Sequence, residues 1–249
     1  MFRLVIPAEA EIQPLILPSA RAKLKLDSRL RGSDARGSGS DGSENGNDEQ
    51  HTMTKTYDRA YFDKWYRHGG IGHAARLARK VALAVATAEY HLERPIRSVL
   101  DIGCGEGAWR APLLKLRPKV SYLGFDSSDY AIARHGRRRN LHFARFADFE
   151  HLRPCPPADL LVCSDVLHYL DTRELDRGLP ALAELCGGVA FIEAFARGDG
   201  AEGDEHDFKQ RSATFYRERL RALGLRPLGS HCWLSPALVP HATSLELPD

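Results

Sequence analysis

The segment spanning residues 99–107, VLDIGCGEG, constrains the chain more than any other stretch. A short apolar run at residues 96–102 ends in Asp101-Ile102, and Gly103, Gly105 and Gly107 then fall at alternate positions ahead of helix-forming sequence. This spacing predicts a buried strand that turns sharply into a helix. Glycines permit such a turn, and their missing side chains allow a ligand with an anionic or acceptor group to approach backbone N–H groups. A dinucleotide fingerprint reads G-x-G-x-x-G. Here the loop is G-x-G-x-G with an acid two residues before its first glycine, which favours a different nucleoside ligand.

The periodicities around this turn predict an alternating fold. Helical spacing covers residues 57–66, with Tyr57, Tyr61 and Trp65 on one side, then 71–91, 109–116, 128–138, 172–185 and 212–223. Strand-like runs occupy 96–102, 121–125, 141–146, 159–163 and 188–194. That rhythm implies an α/β fold: a doubly wound, mostly parallel sheet with helices on both faces. Two last runs, 226–234 and 242–247, are separated by Ser235, Pro236 and Pro240 and are expected to pair as an antiparallel C-terminal edge hairpin, giving seven strands.

Residues 1–52 read differently. Residues 32–50 are almost wholly Gly, Ser, Asp, Asn and Glu, a composition that buries too little apolar area to offset chain entropy. Ahead of them lie prolines at 7, 14 and 18, no sustained period, and a stretch at 26–34, LDSRLRGSD, that resembles translated bacterial intergenic repeat DNA. The expectation is a disordered N-terminal extension over 1–52, with Met53 a candidate true start, and one domain over 53–249. A natural tail that docks a partner is the rival reading.

Composition narrows the class. The chain has 249 residues, 43% hydrophobic and 27% charged, which are globular values. Lys plus Arg number 35 and Asp plus Glu 33, a net charge of +2, so overall charge supports no nucleic-acid partner. No run approaches the roughly 18 apolar residues of a membrane span, and residues 1–17 are broken by Glu9, Glu11 and prolines, unlike a signal peptide. A cytoplasmic location is expected. The five cysteines include no CxxC pair and read as reduced, packed thiols. Asp204, Glu205, His206 and Asp207 are contiguous, a poor ligand spacing, and no metal is expected.

The acid followed by G-x-G-x-G at the end of the first strand resembles the first motif of the class I (Rossmann-like) S-adenosylmethionine-dependent methyltransferases. The resemblance extends in element order from about Tyr57 to Leu247. It implies that Asp101, Gly103, Gly105 and Gly107 serve the methionine end of S-adenosylmethionine. Asp126, at the tip of the second strand, would accept both ribose hydroxyls, a task for an acceptor-only group; its spacing suits a dinucleotide enzyme equally. Asp148, after the third strand, occupies the place where the family puts an acid that accepts from the adenine amino group, with Phe149 or Ala147 covering the base. Strand four runs into Ser164-Asp165-Val166-Leu167-His168-Tyr169-Leu170, similar to the corresponding stretch of small-molecule methyltransferases, and this assigns Ser164 to the cofactor site. The stretch lacks the N/D-P-P-Y/F sequence of enzymes that methylate base amino groups. A small-molecule acceptor is therefore expected, with no nucleic acid and no membrane partner. Each aspartate alone is as readily a helix cap or turn former, and Asp126 precedes an evident capping cluster, Ser127-Ser128-Asp129.

Methyl transfer from a sulfonium is an in-line displacement, so alignment supplies much of the acceleration, and a base is needed only where the acceptor is protonated. Candidate bases are His168, Tyr169, Glu193 and His206. Two readings stand for His168, a base beside the methyl group or a packed ring with one structural hydrogen bond. The aromatic helix with Tyr61 and Phe62 is placed to cover the pocket or to pack in the core. Residues 197–211 form a long charged loop of the kind that covers active sites. The basic run at 134–139 sits at a helix end, where solvent and the helix dipole account for it. An NAD(P)-dependent oxidoreductase and a non-catalytic S-adenosylmethionine-binding protein remain as alternatives.

Overall fold

A computed structural model describes residues 58–64, 74–200 and 207–247. The expectations for residues 1–52, and for Tyr57, Trp65, Tyr66, Asp204, Glu205 and His206, fall outside the described residues. The elements run α1 (Arg59–Phe62), α2 (Ala74–Leu92), β1 (Ser98–Ile102), α3 (Arg110–Leu116), β2 (Ser121–Asp126), α4 (Asp129–Arg139), β3 (Leu141–Phe143), β4 (Ala158–Ser164), α5 (Thr172–Glu184), β5 (Cys186–Glu193), α6 (Ala213–Ala222), β6 (Arg226–Gly229) and β7 (Cys232–Leu234). They build one seven-stranded sheet in the order β3-β2-β1-β4-β5-β7-β6. Strands β1 to β5 pair parallel, and β7 pairs antiparallel with both β5 and β6.

Alternation along the central strands explains the two layers of helix. Leu100 and Ile102 of β1, Leu161 and Cys163 of β4, and Ala190 and Ile192 of β5 face one core, where Leu175, Leu179 and Leu182 of α5 and Tyr216 and Leu220 of α6 meet them. Val99, Leu160, Val162, Val189 and Phe191 face the other, against Val81, Ala84, Val85 and Ala88 of α2 and Leu113 of α3. A strand buried on both faces is apolar through most of its length. This is why the middle of β4, LLVC at 160–163, reads as a continuous run rather than an alternating one, while the buried Asp159 at its start is paired with Arg94. Each fully buried Leu or Ile contributes about 1.5–3 kcal/mol relative to exposure, so the three central strands anchor the domain.

Local chemistry sets the helix ends. Ser128 caps α4 by accepting from the Ala131 N–H at 3.1 Å, and Asn140 ends it in the left-handed region while its amide donates to the Tyr122 carbonyl at 2.7 Å. Asp171 and Glu174 form a reciprocal capping box at the start of α5. Ser212 caps α6 through the Phe215 N–H.

Two expectations change in detail. The expected strand at 141–146 stops at Phe143, and residues Phe146–Glu150 close into a 3₁₀ turn. The edge hairpin is present but lies wholly within the run at 226–234. Ser230 and His231, with φ of 49° and 66°, form a two-residue turn between Gly229 and Cys232. Positive φ at both central residues matches the right-handed strand twist, so the chain reverses there. Residues 242–247, expected to supply the second strand, form turns instead. The Thr243 N–H donates to Glu246 Oε2 at 2.7 Å, and Tyr90 Oη donates to Glu246 Oε1 at 2.6 Å. No helix among the described residues is long and apolar enough to cross a membrane.

The 3₁₀ turn after β3 is seated on α5 at Gly178. A Cβ there would lie 2.4 Å from both the carbonyl oxygen and the ring of Phe146. Gly178→Ala is expected to destabilise the protein by about 1–3 kcal/mol through this overpacking, despite the better helix propensity of alanine. Urea denaturation compared with wild type measures it; an unchanged midpoint would show that the turn is not held by this contact.

Candidate active site

The strand order places a topological switch between β1 and β4. From β1 the chain moves out through β2 and β3, then returns to β4 on the other side, and ligands of open α/β sheets bind in the crevice at the carboxyl ends of the strands at such a point. A cavity of about 350 Å³ lies at these ends, walled by Asp101 and the glycine loop on one side and by Ser164, Asp165 and Glu193 on the other. Its size falls within the range of small-molecule sites.

The glycine loop is a self-supporting turn. Gly103, Gly105 and Gly107 all have positive φ, at 76°, 53° and 76°. The N–H groups of Gly103 and Cys104 both donate to the Phe125 carbonyl of β2, at 2.8 and 3.0 Å, and that of Gly107 donates to the Cys104 carbonyl. A Cβ on Gly103 would meet Val166 Cγ2 at 2.2 Å, so the loop and the segment after β4 approach as closely as glycine permits. These glycines therefore serve backbone conformation and close packing, and their N–H groups are used within the protein rather than offered to a ligand.

Asp101 is the buried acid of the cavity wall. It is 1% exposed and accepts from Tyr122 Oη at 2.6 Å. Burial drives its pKa up, the Tyr122 hydrogen bond opposes this, and the neighbouring Asp126 carboxylate adds to the rise, leaving it at about 7. Asp126 joins β2 to both the loop and the next helix: Oδ2 accepts from the Gly105 N–H at 2.7 Å and Oδ1 from the Ser128 N–H at 2.8 Å. Burial raises its pKa as well, against the backbone hydrogen bonds from Ser128, Gly105 and Ser127. A carboxylate has about four lone-pair positions, so Asp126 keeps acceptor capacity after this structural use. Arg139, last residue of α4, donates to the Glu106 carbonyl at 2.5 Å and lines the cavity. The end of the basic run thus turns into the site.

On the far wall, Glu193 at the end of β5 is held by two donors. Lys80 of α2 is 2.5 Å from Oε1 and Ser164 Oγ donates to Oε2 at 2.6 Å. Burial alone would raise the Glu193 pKa, but Lys80, Ser164 and the field of His231 outweigh it and hold the carboxyl below its ordinary value. Phe62 of α1 covers the loop, its ring 3.3 Å from where a Gly105 Cβ would stand and stacked 5.8 Å from the Tyr130 ring. The aromatic helix thus supplies both a buried packing residue and a wall of the cavity.

The predicted site residues divide. Asp101, Gly103, Gly105 and Ser164 line the cavity. Asp126 adjoins it through Gly105 and Gly107 completes the turn. Asp148 lies on the 3₁₀ turn and accepts from the Arg145 N–H at 2.8 Å; Phe149 is 1% exposed, edge-on to Phe125 in the core. Neither is among the cavity-lining residues, and neither are His168 and Tyr169, whose rings pack on each other at 4.3 Å. Sequence reasoning missed Arg76, Lys80, Trp109 and Asp165 as lining residues. Arg76 and Lys80 stand one turn apart on α2, a helix otherwise rich in Ala and Leu, and that i, i+4 pair was the available signal.

A switch-point cleft whose first strand ends in a buried acid and a three-glycine turn is the architecture of a Rossmann-like nucleoside-binding domain. Residues 100–189 match the family model described as a methyltransferase domain. Trans-aconitate 2-methyltransferases of Deinococcus radiodurans and Azoarcus sp. are 32% and 30% identical over 154 and 155 residues, 60% of this chain in each case and 56% and 58% of theirs. The chain thus spans a little over half the length of these curated relatives. Magnesium protoporphyrin IX methyltransferase from Synechocystis PCC 6803, solved with bound SAH, superposes with a TM-score of 0.51 at 21% identity, over 68% of this chain and 86% of that one. In sequence over residues 100–189 and in fold, the chain is similar to the class I S-adenosylmethionine-dependent methyltransferases.

The donor set fits an amino-acid tail, because Asp101 is a buried carboxyl whose burial a ligand ammonium would offset. The sign of the linkage follows. In the free protein the Asp101 pKa is raised from 3.8 to about 7, so the native state binds the extra proton between these values. Its contribution is fully present below about pH 4 and is lost as pH rises to about 7, a change on the order of 4 kcal/mol if fully expressed. S-adenosylhomocysteine should therefore bind with proton release below about pH 7, seen as a calorimetric enthalpy that depends on the buffer's ionisation enthalpy. Asp101→Asn should abolish that dependence, weaken binding and raise the melting temperature of the free protein at pH 8. A buffer-independent enthalpy in wild type would remove Asp101 as the group facing the ammonium.

Proposed function

We propose that residues 53–249 bind S-adenosylmethionine in the β1–β4 crevice and methylate a small-molecule acceptor held at the carboxyl ends of β4 and β5. The observation that carries this reading is the buried Asp101 carboxyl, set in the cavity wall beside the three-glycine turn. When bound, S-adenosylmethionine supplies an electrophilic methyl group and a neutral thioether leaving group. Asp101 receives the ammonium of the tail. Asp126, already fixed by two backbone N–H groups, holds sugar hydroxyls with its remaining lone pairs. Asp148 and Phe149 serve the base only after the 3₁₀ turn shifts, since the Asp148 carboxylate now caps that turn and Phe149 is packed in the core.

Across the cleft, Lys80, Ser164 and Glu193 form a hydrogen-bonded wall and Phe195 adds an apolar face. This wall positions the acceptor and limits water, which is most of what an alignment-driven displacement asks of the protein. The small-molecule class is supported by a cavity of small-molecule size and by the trans-aconitate 2-methyltransferases that the chain resembles. All five cysteines are free thiols, which supports action in a reducing, cytoplasmic setting.

Calorimetry with S-adenosylmethionine and S-adenosylhomocysteine tests the cofactor. Binding of both is expected, with Asp126→Ala weakening it at least about tenfold through lost charge-assisted hydrogen bonds and an unpaired Gly105 N–H. No heat with either ligand, together with quenching of NADPH fluorescence by the protein, would transfer the site to the oxidoreductase reading. Turnover is then sought with phenol, benzylamine and trans-aconitate; binding with no methylated product across a broad acceptor set marks a non-catalytic binder. Removing residues 1–52 should leave the melting temperature and S-adenosylhomocysteine affinity unchanged. A loss of either identifies the segment as part of the working protein.

A further inference from the structure

We propose that Asp165 is the proton acceptor of this cleft and that His168 is its positioning residue, which makes the methyl acceptor a protic N–H or O–H compound rather than a carboxylate. This rests on the methyl-transfer reading above. His168 itself is 1% exposed and does not line the cavity, so it cannot reach an acceptor there. Asp165 does line the cavity. Its side chain is 28% exposed, against 5% for Glu193.

The backbone aims Asp165 deliberately. Its φ is 65°, a conformation that costs an L-residue about 1–2 kcal/mol, and its N–H is tied to the Glu193 carbonyl at 2.9 Å. Strain of this kind in a cleft points to a position held for use. Behind the carboxylate stands the His168 ring, with Nε2 3.1 Å from Asp165 Oδ1. The Phe195 N–H donates to His168 Nδ1 at 3.4 Å, so the proton of the neutral ring is on Nε2. Tyr169, Phe208 and Phe195 surround the ring at centroid distances of 4.3, 5.0 and 5.3 Å. Nε2 is close to Oδ1 but off the hydrogen-bonding line, and it has no other partner. An unsatisfied buried N–H costs about 1–3 kcal/mol, and a small rotation of the Asp165 carboxylate satisfies it. The carboxylate is thereby held from behind by a ring that never enters the cleft.

The other acids of the cavity are committed. Both Glu193 oxygens are taken by Lys80 and Ser164. Asp101 is on the opposite wall with Tyr122, and Glu106 belongs to the glycine loop, 3.4 Å from His135. Asp165 alone presents a carboxylate to the acceptor end with its support on the side away from the cavity. In the step assigned to it, the proton of the acceptor's N–H or O–H passes to an Asp165 oxygen while the acceptor's electron pair forms the bond to the methyl carbon. The former carbon–sulfur pair leaves with the thioether, and Asp165 then returns the proton to water. A carboxylate acceptor has no such proton to lose and is repelled by Asp165.

The test uses the full chain in two arms. In protein labelled with ¹⁵N at histidine, the His168 Nε2–H resonance should be visible in wild type and should shift, or be lost to solvent exchange, in Asp165→Asn; a resonance unmoved by that substitution overturns the pairing. In turnover with phenol and benzylamine, Asp165→Asn should lower kcat about 100-fold or more with KM and S-adenosylhomocysteine affinity near wild type. The lost rate should recover as pH rises toward the acceptor's own pKa, and Asp165→Glu should restore part of it. His168→Gln, which keeps a donor near the Nε2 position, should retain more activity than His168→Leu. Wild-type turnover of trans-aconitate exceeding that of both protic compounds, or protic turnover unaffected by Asp165→Asn, overturns the assignment. Failure of S-adenosylhomocysteine to bind at all counts against the methyl-transfer reading, and the resonance arm still decides the Asp165–His168 pair.

Discussion

Two neighbouring carboxyl groups, the buried Asp101 of β1 and the half-buried Asp126 at the tip of β2, are the constraint on which the site depends. Parallel pairing sets Asp101 opposite Gly124 and Ile102 opposite Phe125, so the glycine turn after β1 must pass the end of β2. Asp126 catches it there through the Gly105 N–H, and the Phe125 carbonyl takes two further N–H groups from the same turn. The same carboxylate starts α4 by accepting from Ser128. Loop, strand and helix are thus tied to one ionisable group, at the cost of placing it near Asp101, whose pKa it helps to raise. Burying like charges together destabilises a protein unless something compensates. In the free protein the compensation is the proton retained by Asp101; under the proposed reading a cationic ligand replaces it.

That arrangement explains why the glycines matter differently from what their spacing implied. The expectation was open N–H groups facing a ligand. Instead the N–H groups of Gly103, Gly105 and Gly107 bond within the protein, and the missing side chains make room for Val166 and Phe62. Glycine here brings protein surfaces together so that the side chains between them form a cleft. The loop remains diagnostic of the family because both uses require the same positive φ.

What was legible in the sequence followed from short-range physics. Strands β1, β4 and β5 announced themselves as short, mostly apolar runs because both faces are covered, and α4, α5 and α6 began where Ser128, Asp171 and Ser212 offered caps. The acids at the strand tips were visible for the same reason, since strand ends are readable. The hairpin turn at Ser230-His231 was hidden inside a run whose hydrophobic pattern continues across it, and only Gly229-Ser230 hinted at a reversal. Lys80 and Asp165 were harder to read: the Arg76–Lys80 spacing marks a basic face of α2 without saying what that face meets. Lys80 meets Glu193 across 113 positions of chain, a contact that only the packing of α2 on the sheet creates. Asp165 becomes a wall residue through its positive φ, which no local propensity demanded.

The two walls of the cleft carry acids with opposite tendencies, and this gives the cavity a direction. On the β1 side burial wins and Asp101 is pushed up to about 7. On the β5 side burial acts in the same sense on Glu193, yet Lys80 and Ser164 reverse it and hold the carboxyl ionised. The difference is one of available donors: Asp101 has a phenol, Glu193 an ammonium and a hydroxyl. A group able to lose its proton on meeting a cation therefore faces a group already neutralised by one. A zwitterionic or cationic tail has reason to choose the first wall, which leaves the second, with Asp165 beside it, to the molecule that accepts the methyl group.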